Sequence, residues 1–223
     1  MILSALTQYY ERLITTSNGA VPSFGFSEEK IGYILVLSER GELVDLVPNL
    51  SEEKKPKPRL LNVPRPEKRT SGIKPNFLWD KTAYVLGVGL PKDKKSEALF
   101  ELSMPTFEAF RDLHVSLFKN AEDKGLKALV LFLKNWKPEN FAESVLSPDV
   151  LDANVVFQLD GLRKYVHECL EAKTIWRAQL QSDDAKEAMC LITGEQAPIS
   201  RLHPAIKGVS GGQSSGVSIV SFN

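Results

Sequence analysis

The run Ile31-Gly-Tyr-Ile-Leu-Val-Leu37, then Arg40-Gly41, then Leu43-Val-Asp-Leu-Val47 decides the fold class. β-Branched and aromatic side chains suit a pleated surface, and the Arg-Gly step between the two runs supplies a turn, so the segment predicts a β-hairpin. A third short strand is expected around Leu60 to Val63, joining this hairpin, and another at Val155-Val-Phe-Gln-Leu159. Helical spacing surrounds these strands. Ile2, Leu6, Tyr9 and Leu13 share one face of a helix running to about Ile14. Phe107, Phe110, His114, Leu117 and Phe118 mark a helix with Pro105 in its first turn, and Leu126, Leu129, Val130 and Leu133 mark the next. A long helix is expected from about Leu162 to Leu180, followed by strands at Cys190-Leu-Ile-Thr-Gly194 and Val217-Ser-Ile-Val-Ser-Phe222. The expected fold is α+β, with small mixed or antiparallel sheets, packed helices, and long basic and Gly/Ser-rich loops.

With 223 residues, 43% of them apolar, the chain can bury the core of one domain or of two lobes, expected at 1–104 and 105–223. The longest apolar stretch, Ala128 to Leu133, is far too short for a bilayer. Thr7, Gln8 and Glu11 interrupt the opening apolar run before it forms a signal-peptide core. No membrane association and a cytoplasmic location are therefore expected, with Cys169 and Cys190 as buried reduced thiols. Lys+Arg equals Asp+Glu at 28 each, so any argument for a polyanion partner must come from how charge is distributed.

That distribution is uneven. Between Ser51 and Lys81, the cations Lys54, Lys55, Lys57, Arg59, Arg65, Lys68, Arg69, Lys74 and Lys81 face only Glu52, Glu53, Glu67 and Asp80. Pro56, Pro58, Pro64, Pro66 and Pro75 block helix through most of the stretch, which predicts a long basic loop. Within it, Lys and Arg suit phosphates, the Asn76 amide suits a base edge, and Phe77 suits a wedge between base steps. A blander reading fits equally: Phe77, Leu78 and Trp79 anchor a solvated loop to the core. A second loop, His203-Pro-Ala-Ile-Lys-Gly-Val-Ser-Gly-Gly-Gln-Ser-Ser-Gly216, has glycines that let backbone N–H groups approach an anion, and it also reads as an ordinary flexible connection. It lacks the Gly-Lys-Ser/Thr of a phosphate-binding loop and the spacing of a dinucleotide fingerprint, so no cofactor is expected. His114, His167 and His203 are far apart and read as core or surface histidines, and no metal site or catalytic activity is expected.

Three groups of residues resemble a known family. They are Met1-Ile-Leu-x-Ala-Leu-x-x-Tyr-Tyr-Glu-Arg12; Gly72-Ile-Lys-Pro-Asn-Phe-Leu-Trp79; and Arg201-Leu-His-Pro-Ala-Ile-Lys-Gly-Val209 with Gly212-Gln-Ser-Ser-Gly216 and Val220-Ser-Phe-Asn223. Together they resemble the large subunit of the type I-C (Dvulg subtype) CRISPR-Cas Cascade. Members of that family are longer, so the resemblance implies that 1–223 is an N-terminal DNA-recognition domain with the C-terminal helical region absent.

It further implies a non-catalytic subunit that recognises the protospacer-adjacent motif in double-stranded target DNA and helps start unwinding for crRNA-guided interference. Its partners would be that DNA, the crRNA-containing Cascade subunits and a recruited helicase-nuclease. On the matching positions, the implied DNA contacts are Lys74, Asn76 and Phe77, then Lys207, Gly211, Gly212, Gln213 and Ser214, with Arg65, Lys68 and Arg69 positioning the duplex. Two other functions stay open. One is a structural domain docking neighbouring subunits or an anti-CRISPR protein; the other is a crRNA-processing endoribonuclease with His203 as its acid/base group.

Overall fold

The computed structural model describes residues 2–16, 21–66, 69, 72–93, 97–181, 187–190, 193–198, 206, 209–213 and 216–217. Helix α1 (Ile2–Thr16) leads into strands β1 (Phe26–Ile31), β2 (Tyr33–Leu37), β3 (Leu43–Pro48), β4 (Arg59–Pro64) and β5 (Trp79–Lys81). Then come α2 (Thr82–Val85), β6 (Val88–Gly89), β7 (Glu101–Leu102), α3 (Met104–Leu117) and α4 (Lys124–Asn135). The chain closes with β8 (Asn154–Leu159), α5 (Leu170–Gln181), β9 (Glu187–Met189) and β10 (Gln196–Pro198). The fold is α+β, as expected.

The quoted run is the centre of the molecule's main sheet, whose strand order is β3-β2-β8-β5. β2 pairs antiparallel with β3, forming the expected hairpin, and parallel with β8. Side chains alternate between two cores. Tyr33, Leu35 and Leu37 join Val155, Phe157 and Leu159 in the larger one, packed with residues of α2 to α5. Ile34, Val36 and Val156 join Ile31, Val63 and Trp79 in the smaller one. A strand buried on both faces has no polar alternation, which explains the uninterrupted apolar run.

The strand expected to join the hairpin is not part of the main sheet. β4 pairs instead with β1, from Phe26↔Pro64 to Ile31↔Arg59. The helix expected from Leu162 starts only at Leu170. A 3₁₀ turn, Val166–Glu168, precedes it, with the Glu168 carboxylate accepting the Tyr165 N–H at 2.8 Å and Cys169 extended at ψ 152°. Of the expected 190–194 strand, Cys190, Thr193 and Gly194 lie between β9 and β10 outside any strand, with Cys190 N–H donating to the Glu195 carbonyl at 2.7 Å, and Leu191 and Ile192 lie outside the described residues. Of the expected 217–222 strand, Val217 pairs with Ile206, and the rest lies outside the described residues.

The contacts divide the chain into Tyr10–Leu180 and a second unit of Met1–Tyr9 with Gln181–Asn223. The boundary expected at residue 104 is not seen, because β2 and β8, from either side of it, are neighbours in one sheet. Among the described residues, no helix is long and apolar enough to cross a membrane.

Candidate nucleic-acid interface

Within the unit Tyr10–Leu180, the basic stretch leaves the small sheet at Pro64 and enters the main sheet at Trp79. Its two ends are tied where the Trp79 indole N–H donates to the Pro64 carbonyl at 2.7 Å. The Gly25 carbonyl accepts both the Arg65 N–H, at 2.9 Å, and the Trp176 indole N–H, at 2.6 Å. The centre of the excursion is held by Asp80, whose side chain is 1% exposed. Its carboxylate accepts the Asn76 N–H at 2.9 Å and the Lys81 N–H at 2.8 Å, and it pairs with the Arg69 guanidinium. Arg69 also donates from Nε to the Lys74 carbonyl at 2.7 Å and lies 4.2 Å over the Tyr84 ring. Burial pushes the Asp80 carboxyl above its ordinary value, against the pull of these amides and of Arg69.

The next fixed point is Leu78, which is fully buried and sits in the left-handed region at φ 63°. A leucine holds that conformation only where its surroundings enforce it. Here the Leu78 N–H donates to His114 Nε2 at 2.8 Å, while His114 Nδ1 lies 2.7 Å from the Phe110 carbonyl. Serving one donor and one acceptor requires a neutral ring protonated at Nδ1, and burial lowers the His114 pKa to about 4.

These constraints decide the sequence-predicted contacts. Phe77 is 3% exposed, stacked on Trp176 with ring centroids 5.0 Å apart and edge-on to Phe118 at 5.6 Å. It is a core anchor in this fold, not a presented wedge. Asn76 is 4% exposed, so its amide is not offered to a groove. Arg69 is committed to Asp80 and Tyr84. Arg65 and Lys74 are exposed and, with the exposed Lys54 and Lys55, have no ion pair among the described residues. Lys57, Arg59 and Lys81 are paired with Glu53 at 3.3 Å, Glu52 at 3.4 Å and Asp152 at 3.1 Å. Lys68 lies outside the described residues.

In the second unit, Ile206 and Val217 exchange backbone hydrogen bonds of 2.8 and 2.9 Å. Inside the loop they close, the Gly212 N–H donates to the Val209 carbonyl at 3.0 Å and the Gly216 N–H to the Gln213 carbonyl at 2.9 Å. Those two amides serve the turn rather than a ligand. Gly211, at φ 78°, and Gln213 are exposed, whereas Lys207, Ser214 and His203 lie outside the described residues. His114 and His167, at 0% and 1% exposure, are too deeply buried to act on an RNA substrate.

Sequence reasoning missed Asp80, His114 and Tyr84 as the groups that hold the loop. Asp80 left one signal, an acid beside an aromatic anchor in a basic stretch. His114 left only its place in an apolar helical stripe.

The family model described as CRISPR-associated protein (Cas_Csd1) matches residues 6–223, so the chain belongs to that family of CRISPR-associated proteins and is a Cascade subunit. A comparison with curated proteins gave no match.

Proposed function

We propose that this chain is the N-terminal, non-catalytic DNA-recognition domain of a type I-C Cascade large subunit. It grips the duplex beside the protospacer, reads the short flanking motif and helps begin unwinding, while the guide RNA carried by neighbouring subunits reads the target itself. A helicase-nuclease recruited to the complex does the cutting. The observation that carries this reading is the combination of a backbone held from inside by Asp80 and His114 with an exposed Arg65 and Lys74 that have no ion pair among the described residues. Cations held in place lose less freedom on meeting phosphates. Arg65 and Lys74 neutralise phosphates, Gln213 supplies the exposed amide for a base edge, and Asn76 and Phe77 shape the loop from within.

The test is fluorescence anisotropy on labelled duplexes with and without a pyrimidine-rich flanking motif. Arg65→Ala with Lys74→Ala should weaken binding to both duplexes alike. Gln213→Ala should cost about 1–3 kcal/mol on the motif duplex and little on the other. Binding that none of these variants changes would overturn the reading in favour of a docking domain for neighbouring subunits or an inhibitor.

A further inference from the structure

The β2–β3 turn folds onto α4 and borders a cleft of about 320 Å³, walled by Glu42, Phe132, Asn135, Trp136, Glu143 and Val145. It lies wholly within the unit Tyr10–Leu180 and shares no residue with the basic excursion. Its walls are fixed by local chemistry. Gly41, at φ 76°, lies so close to α4 that a Cβ there would sit 2.5 Å from the Leu131 Cβ and from the Phe132 backbone nitrogen. The turn closes through Gly41 N–H to the Ser38 carbonyl and Ser38 N–H to the Glu42 carbonyl, each 2.9 Å. Glu39 fastens it to the start of α4 through Lys124 at 2.8 Å. The Trp136 indole N–H is used at 2.9 Å by the Leu86 carbonyl, and its ring lies 5.5 Å from that of Phe132. The indole therefore has only its π surface to offer a ligand.

Charge completes the description. Glu42 and Glu143 border the same cleft, and among the described residues neither has an ion pair; the Glu42 carboxylate accepts a 3.4 Å contact from the Ser38 hydroxyl. An aromatic wall with two uncompensated carboxylates attracts a cation that also has a flat, weakly hydrated face. The volume is near the lower end of the roughly 300–1,000 Å³ of small-molecule sites, which suits one side chain rather than a cofactor. The same carboxylates repel a phosphate.

We propose that this cleft is a docking pocket for an arginine side chain presented by a protein partner. Arginine is favoured over lysine because its planar guanidinium stacks on an indole and bonds a carboxylate through two N–H groups at once. The inference is independent of the DNA reading and uses none of its residues.

The experiment follows the indole N–H signals of the ¹⁵N-labelled full chain during titration with acetyl-Gly-Arg-Gly-amide. The same peptide with citrulline, which keeps the shape and loses the charge, and the same peptide with lysine are the comparisons. Trp136→Phe identifies the Trp136 signal. That signal should move saturably with the arginine peptide, less with lysine and not with citrulline. Glu42→Gln with Glu143→Gln should weaken the response by about tenfold, while the Trp79 and Trp176 signals stay in place and report an intact fold. No movement with arginine, equal movement with citrulline, or an unchanged response in the double variant would each overturn the proposal.

Discussion

His114 and His167 are the residues through which pH acts on this fold. Both rings are buried, and both have pKa values lowered to about 4, mainly because a charged imidazolium there would lose its water. His167 Nε2 reaches the Asn62 carbonyl at 3.2 Å, and its Nδ1 is buried with no hydrogen-bond partner among the described residues. Above pH 6.5 the rings are neutral in both folded and unfolded chains and make no difference to stability. Between pH 6.5 and 4 the unfolded chain takes up protons that the folded chain refuses, so stability falls as pH drops. The loss approaches about 3 kcal/mol per ring. Trp79, Trp136 and Trp176 all lie in the unit Tyr10–Leu180, so tryptophan fluorescence during urea unfolding follows it. The urea midpoint should be level above pH 6.5 and decline below it. In His167→Gln, whose amide can still serve the Asn62 carbonyl but cannot charge, the decline should be shallower. An identical pH profile in wild type and variant would remove His167 from this account.

At the scale of the element, one carboxylate gathers three of the ties of the excursion between β4 and β5, to Arg69 and to the Asn76 and Lys81 amides. Asp80→Asn leaves the Arg69 guanidinium without a counter-charge and weakens the acceptor for the Asn76 and Lys81 amides. The expected cost is about 2 kcal/mol, below that of breaking a fully buried pair because the Arg69 side chain keeps 30% exposure. Trypsin should also cut the variant faster after Arg69, whose guanidinium Asp80 no longer holds, and an unchanged digestion rate together with an unchanged urea midpoint would show that Asp80 does not hold the loop. The same element shows how far the sequence could be read. The basic, proline-broken character of 51–81 follows from composition, and the β2–β3 hairpin follows from neighbouring runs joined by a turn. Both are local properties. Whether Phe77 points inward depends on Trp176 and Phe118, and the conformation of Leu78 depends on His114, all distant in sequence. The parallel partner of β2 is likewise more than a hundred residues away, so no local pattern announces that β8 takes the second edge of β2.

For the whole molecule the decisive fact is that 28 cations balance 28 carboxylates. A neutral chain has no long-range attraction for DNA, so association must come from local contacts and their release of counterions. Lys57, Arg59, Arg69 and Lys81 are engaged by acids, leaving Lys54, Lys55, Arg65 and Lys74 as the unpaired cations of this stretch among the described residues. If those cations meet the phosphates, log K should fall against log salt with a slope of about −4, and Arg65→Ala with Lys74→Ala should flatten it by about 2. A slope near −8 would mean that the paired cations exchange their carboxylates for phosphates, or that the second loop joins the contact. A slope unmoved by the double variant would place the duplex elsewhere on the protein. Salt titration of the two proteins on one duplex separates these cases, because a phosphate contact shows itself in the slope even when the affinity at a single salt concentration is modest.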